Sequence, residues 1–205
     1  MTNKSATKSE HIIAQSAFIC GEASQRSAEY LILNIWKIDG QPAYDMPKEM
    51  ADVVVCATNL TFAIELYLKA LLSHLELQVP KVHDLISLYK IIPQPIRTIV
   101  EEVYESACLE DKSNLPSYSF TLAKGPLEVP EWNDVSKKSP LLPDLLERSK
   151  DLFQSWRYVC EFNKPENDSY QFHKFEYGLL RFAAEAIRVE VAVRLSGMDE
   201  TQKQT

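Results

Sequence analysis

The sequence predicts an all-α protein, a bundle of four or five helices with an inserted loop or small hairpin. Over roughly its first 20 positions, the stretch 51–77 is apolar on every side, and such a helix belongs inside a bundle. At about 1.5 Å rise per residue, roughly 25 residues of this stretch would span about 38 Å, the depth of a small domain. Only 5 glycines occur among 205 residues, and glycine-poor runs suit helices better than tight turns.

The first helix is predicted over residues 9–37 and ends at the turn sequence 39–42. Gly21 is an isolated glycine inside this helix, and we expect it to mark a kink. The apolar surface of the helix is expected to come from Ile12, Ala17, Ile19, Ala28, Leu31, Ile35 and Ile38.

The central helix is expected to begin after Asp45, a good N-cap, and to carry Pro47 in its first turn. It should close before Pro80, because a residue that precedes proline is disfavoured in the α conformation. Asp84 is then predicted to cap a short helix over residues 85–92.

Two prolines, Pro93 and Pro95, separate this short helix from the next one, which is predicted over residues 96–109. A further helix is expected from Leu141 or Asp144 to about residue 162. The last helix is expected over residues 169–195 and should stop at Ser196-Gly197.

Residues 111–140 differ in composition from the helical segments, because they are rich in proline and serine. They are predicted to be an insertion that lies over the bundle. Residues 117–122 alternate polar and apolar side chains, the period of a half-buried strand, and 127–129 would pair with them as a hairpin. An irregular loop is the alternative. The chain is thus predicted to be one domain, with a core over 9–110 and 141–196.

The composition favours a protein of the reducing cytoplasm. The four cysteines are far apart, are interpreted as buried thiols, and offer no zinc spacing. The polar N-terminus lacks the apolar segment of a signal peptide, and polar residues interrupt the central helix, so no membrane span is expected. A net charge of −7 argues against extensive nucleic-acid coating but leaves room for a local basic patch.

Two short motifs resemble the HEPN superfamily, helical-bundle domains of prokaryotes and higher eukaryotes. Residues 63–72 read AIELYLKALL, and after a short gap residues 83–89 read HDLISLY. Residues 155–161, SWRYVCE, look like a segment of bacterial members of unknown function. The resemblance covers roughly residues 10–110 and 141–195.

The resemblance implies a helical bundle that is often dimeric. Many members belong to toxin–antitoxin, abortive-infection or phage-defence systems, and several lie beside nucleotidyltransferase partners. Active members are metal-independent endoribonucleases that use an arginine followed four to six residues later by a histidine. The imidazole handles the proton of a ribose hydroxyl or leaving group, and the guanidinium stabilises the charge of the transition state.

This chain departs from that pattern at the histidine. Arg157 matches the arginine, but Asn163 stands six residues later, and an amide is neither an acid nor a base near neutral pH. Glu161 could serve as a base, yet its position four residues from Arg157 favours an ion pair between the two residues. We expect Arg157, Glu161 and Asn163 to be the remnant of a catalytic site.

Four other polar residues have both a structural and a functional interpretation. Glu65 and Lys69, four residues apart, are predicted to form an ion pair within the core, and the alternative is a ligand pocket. His83 and Asp84 are interpreted as a helix entry, in which the histidine packs and the aspartate caps.

Lys174, Arg181 and Arg188 recur every seven residues, which would form a row of charges about 10.5 Å apart on one helix. Phosphates could follow such a row. Since Glu185 lies between two of these residues, a solvated face of mixed charge is favoured.

The predicted function is a catalytically degenerate, RNA-associated interaction module of a bacterial defence, toxin–antitoxin or stress system. The alternative is a metal-independent endoribonuclease that uses Arg157 with Glu161 or Asn163. A ligand-binding bundle with a pocket at Glu65 is a third possibility. We predict a homodimer, with RNA, a nucleotidyltransferase or an antitoxin as partner, and expect no metal or cofactor.

Overall fold

The described part of the chain contains six helices and no strand, which confirms the predicted all-α bundle. The structure is a computed structural model, and the residues it describes are 8–36, 47–110, 140–150, 152 and 175–202. Four helices are long and two are short. They are α1 (Lys8–Trp36), α2 (Pro47–His74), α3 (Leu85–Ile91), α4 (Gln94–Glu110), α5 (Leu142–Arg148) and α6 (Tyr177–Gln202).

The helix α2 lies at the centre of the bundle and packs against α1, α3 and α6. It pairs with α1 in antiparallel fashion. Cys56 Sγ, early in α2, donates to the backbone oxygen of Ala28 at 3.4 Å, whereas Tyr67, later in α2, lies against Gly21. Burial raises the pKa of the Cys56 thiol to about 12, so this sulfur is an inert part of the helix contact.

Burial along α2 confirms the expected central position for most of the helix. Between Leu60 and Ser73 all but three residues are buried, and those three are partly buried. Among the α2 residues whose burial is described, the exposed ones lie in the first turns, where Val55 is 45% exposed. The stretch Ala51–His74 is long and apolar enough to cross a membrane, but 56% of its most apolar window is buried inside the bundle, as in the core helix of a soluble protein.

The chain leaves α2 through a Schellman turn centred on Glu76. The backbone N–H of Leu77 donates to the oxygen of Leu72 at 2.9 Å, and that of Glu76 donates to the oxygen of Ser73 at 3.1 Å. Glu76 takes a φ of 56°, the left-handed conformation that usually favours glycine at this position. The predicted end of the central helix before Pro80 is confirmed.

Asp84 caps α3 as predicted. Its carboxylate accepts from the backbone N–H groups of Ile86 and Ser87 at 3.1 and 3.3 Å, and from the Ser87 hydroxyl at 2.6 Å. Partial burial by itself would raise the pKa of Asp84, but these hydrogen bonds outweigh it and hold the pKa below its usual value. The helix α4 then carries Pro95 in its first turn.

Three expectations about α1 need correction. Ile12 and Ile19, predicted to supply apolar surface to the bundle, are 53% and 62% exposed, because α2 and α6 cover another side of the helix. Cys20, predicted to be a buried thiol, is also exposed. The helix continues unbroken through Gly21, and close packing against Tyr67 is what requires the glycine there.

The late helices also differ from prediction. A single helix to residue 162 is wrong, because α5 ends at Arg148 and a turn follows at Ser149 and Lys150. The last helix begins at Tyr177 rather than at residue 169, since Phe175 and Glu176 are not helical. It passes through the predicted stop at Gly197 and ends at Gln202.

Several predictions fall outside the described residues. They include the Asp45 cap, the hairpin within residues 117–129, and the chain segment that carries Cys160. The proposed division of the domain into a core and an insertion at 111–140 therefore stays a prediction.

Candidate functional site

The most enclosed charged group of the described chain is the carboxylate of Glu65, whose side chain is only 2% exposed. Lys69 Nζ, one turn further along α2, donates to Glu65 Oε1 at 2.7 Å. This confirms the predicted ion pair between the two residues. Because burying a lone carboxylate is costly, the ammonium group offsets a penalty that the surrounding apolar side chains cannot.

A third residue, His83, completes this polar cluster. Its Nδ1 lies 3.0 Å from both oxygens of Glu65, although the two residues are 18 positions apart. A carboxylate that already accepts from an ammonium group accepts here as well, so Nδ1 carries the hydrogen. The imidazole is therefore held in one orientation, with Nδ1 as the donor to the carboxylate.

The turn between α2 and α3 is what brings His83 to Glu65. The chain reverses at Glu76, returns along α2 and enters α3 at the Asp84 cap, which holds the preceding histidine over α2. The sequence correctly assigned the cap to Asp84 but missed the contact between His83 and Glu65. The available signal was a histidine next to a cap, with a buried carboxylate in the preceding helix.

The cluster reaches solvent through two of its members. The side chain of His83 is 47% exposed and that of Lys69 is 21% exposed, whereas Glu65 lies beneath them. An imidazole oriented by a buried carboxylate is an arrangement suited to proton transfer or polar recognition. The same contacts also hold the connection between α2 and α3 in place. The arrangement thus agrees with a structural ion pair and with a ligand pocket at Glu65 and Lys69.

Two of the three residues of the predicted basic row lie within the described part of the chain. Since α6 starts at Tyr177, Arg181 and Arg188 lie on it, and Lys174 lies outside the described residues. Arg188 binds Glu185 through two hydrogen bonds of 2.7 Å and reaches Glu22 of α1 at 3.4 Å. Arg181 Nε lies 3.7 Å from Glu29 of α1.

These arginines therefore belong to a network of mixed charge between α6 and α1. The hydrogen bonds from Arg188 are the largest cause of the lowered pKa of Glu185. Next to this network, the Tyr67 hydroxyl donates to Gln25 Oε1 at 2.9 Å, and Gln25 Nε2 donates to Glu29 at 3.1 Å. Such pairing suits the favoured prediction of a mixed-charge face.

The predicted catalytic residues Arg157, Glu161 and Asn163 lie outside the described residues, so their roles stay predictions. Within the described ranges, no group of three or more histidine, cysteine, aspartate or glutamate side chains is arranged to hold a metal ion. The polar cluster of Glu65, Lys69 and His83 is thus the candidate site whose geometry is defined.

Comparison with protein families matched the HEPN domain over residues 48–125. The matched range contains α3, α4 and all of α2 except its first residue, together with all three members of the polar cluster. It continues into the segment predicted to be an insertion. Comparisons with curated proteins and with solved structures produced no significant match. Residues 48–125 of this chain are therefore similar to the HEPN domain, and the helices described within that range agree with its all-α architecture.

Proposed function

We propose that this protein is an RNA-associated HEPN module that no longer cleaves RNA and that works in a bacterial defence, toxin–antitoxin or stress system. The observation that carries the proposal is the HEPN match over residues 48–125, because this domain suggests an RNA-associated or nuclease-like module. We also propose a role in defence, including phage defence, and a cytoplasmic location. Both come from what the resemblance to HEPN proteins implies.

The loss of cleavage follows from the side chain at position 163. Active relatives would carry a histidine there, within six residues of Arg157, and Asn163 cannot move a proton near neutral pH. Arg157 would still provide a positive charge for a phosphate group without completing the reaction. Binding of RNA is therefore proposed to persist where its cleavage does not.

An endoribonuclease remains the second candidate because Glu161 lies four residues from Arg157. In that case the Glu161 carboxylate would take the proton of the 2′-hydroxyl while the 2′-oxygen forms a bond to the neighbouring phosphorus. The bond from phosphorus to the 5′-oxygen would break, which leaves a 2′,3′-cyclic phosphate, and the 5′-oxygen would take up a proton from water. Arg157 would stabilise the phosphorane-like transition state, and no metal would be needed.

Cleavage of structured RNA in the presence of EDTA separates these candidates. We expect no product from the wild type or from Arg157→Ala, and cleavage only after Asn163→His restores an imidazole. Cleavage by the wild type that falls by about 10²–10³-fold in Arg157→Ala would instead establish the endoribonuclease. A gel-shift titration of the same RNA tests the association itself, and the absence of binding at low salt would overturn it.

The proposed partners are a second copy of the chain and a nucleotidyltransferase or antitoxin. The support for a second copy is the HEPN match, since domains of this superfamily often dimerise, whereas the nucleotidyltransferase or antitoxin is proposed from what the resemblance implies. A neighbouring gene that encodes a nucleotidyltransferase or an antitoxin would support the second assignment. Size-exclusion chromatography with light scattering tests the first.

A further inference from the structure

One side of α1 is exposed along most of its length and carries almost no charge. Nine positions of this side are exposed, and they follow a seven-residue repeat. We call them the α1 face: Ile12, Ile13, Ser16, Ile19, Cys20, Ala23, Arg26, Ser27 and Tyr30. Among these nine residues only Arg26 is charged, whereas three of the nine exposed residues on α4 are glutamates.

The large apolar residues of the α1 face are well exposed. Ile12, Ile13, Ile19 and Tyr30 are 53%, 58%, 62% and 68% exposed. From Ile12 to Tyr30 the face is about 27 Å long at the rise of an α-helix. A repeat of seven over such a length is the pattern by which one helix packs along another.

We propose that the α1 face binds the α1 face of a second copy of the chain, with the two helices antiparallel. This inference rests on the proposed homodimer and identifies its surface. An acidic chain with a net charge of −7 repels its own copy, so a contact between copies favours a surface with little charge.

The order of residues along the face makes it complementary to itself in the antiparallel direction. A two-fold axis near residue 21 places Ile12 beside Tyr30 of the second copy and Ile19 beside the second copy's Ala23, so large side chains meet apolar or small ones. It also places Arg26 beside the second copy's Ser16. Such a contact is isologous and closes as a dimer.

A parallel pair would be less favourable because each residue would meet its own copy. Arg26, whose side chain is 67% exposed, would then face Arg26 of the second copy. Like charges across an interface are repulsive, and parallel helix dipoles add a smaller unfavourable interaction. The single charge of the face thus selects the antiparallel arrangement.

The face continues onto the beginning of α2. Cys56 Sγ contacts the backbone oxygen of Ala28, which places the start of α2 beside the Tyr30 end of the face. Val55, one residue earlier, is 45% exposed and adds apolar area there. The proposed interface therefore includes two helices from each copy.

The first test measures the mass of the full chain by size-exclusion chromatography with light scattering over a range of concentrations. The wild type should be a dimer, and Ile19→Glu should weaken it by at least about tenfold, because a carboxylate would enter an apolar contact. Ile99→Glu is the matched control: Ile99 is an isoleucine 44% exposed on α4, and its change should leave the dimer intact. Circular dichroism checks that both variants stay folded.

The second test measures the direction of the helices by disulfide formation in a Cys20→Ser background. The double change Ile12→Cys with Tyr30→Cys should give a cross-linked dimer upon oxidation, whereas Ile12→Cys alone should not. Cross-linking by Ile12→Cys alone would overturn the antiparallel arrangement. A wild-type dimer that tolerates Ile19→Glu would overturn the α1 face and leave the homodimer standing, and a monomeric wild type would overturn both.

Discussion

At the scale of single residues, Gly21 is the position of α1 where Tyr67 leaves no space for a side chain. A Cβ atom at this position would lie 2.6 Å from Cε1 of Tyr67, and that ring is fully buried. The tyrosine is also held by its hydrogen bond to Gln25, so it cannot easily move aside. The glycine lets α1 and α2 approach closely at this point.

We therefore expect Gly21→Ala to lower the free energy of unfolding by about 1–3 kcal/mol, the usual cost of overpacking. Gly197→Ala is the control, because nothing lies within 4 Å of the Cβ that it would add, and α6 continues past it. That change should be neutral or stabilise by up to about 1 kcal/mol. Urea unfolding of both variants measures the difference, and equal stability would show that α1 can shift away from Tyr67.

At the scale of the elements, the polar cluster joins α2 to the start of α3. Glu65 and Lys69 belong to α2, and His83 comes from the connection that follows it. The side chains of Lys69 and His83 are partly exposed, whereas the Glu65 carboxylate that both contact is buried. Removing different members should therefore have unequal effects on stability.

We expect Lys69→Met to destabilise the protein by about 3 kcal/mol, since the buried carboxylate loses its charged partner. Glu65→Gln should cost less, about 1–2 kcal/mol, because the partly exposed ammonium of Lys69 can turn toward water. The double variant should be more stable than Lys69→Met alone, because it no longer buries a carboxylate that has lost its lysine. Additive losses in this double-mutant cycle would contradict the coupling between the two residues.

At the scale of the whole molecule, the contacts between α6 and α1 tie the two ends of the described chain together. Arg188 contributes two short hydrogen bonds to Glu185 and one longer contact to Glu22, and its own side chain is 29% exposed. Arg181 makes a single contact of 3.7 Å to Glu29 and is 42% exposed. The first arginine should therefore matter more for the closure of the bundle.

We expect Arg188→Met to destabilise the protein by about 1–2 kcal/mol at neutral pH. Arg181→Met, the control, should change the stability by less than about 0.5 kcal/mol. Arg188 lowers the pKa of Glu185 in the folded state, so this stabilisation is present above the usual value of 4.5 and is lost as the pH falls through the folded pKa. Thermal melts at several pH values would contradict this assignment if the difference grew in acid.

The sequence by itself determined the features that depend on neighbours along the chain. The all-round apolar stretch placed α2 at the centre, Pro80 required this helix to end before it, and Pro95 predicted the start of α4. Asp84 could be assigned as a cap, and Glu65 and Lys69 as a pair, because both contacts occur within one turn. The two HEPN motifs lie in the same part of the chain as the matched domain.

Only the tertiary structure decided what depends on contacts between distant elements. It assigned His83 to Glu65, directed Arg188 to Glu22, and left Ile12 and Ile19 on the surface. Helical periodicity shows which residues share a face, but it does not show which face another helix will cover. The packing of α2 and α6 against α1 makes that choice, because burial and charge pairing are properties of the assembled bundle.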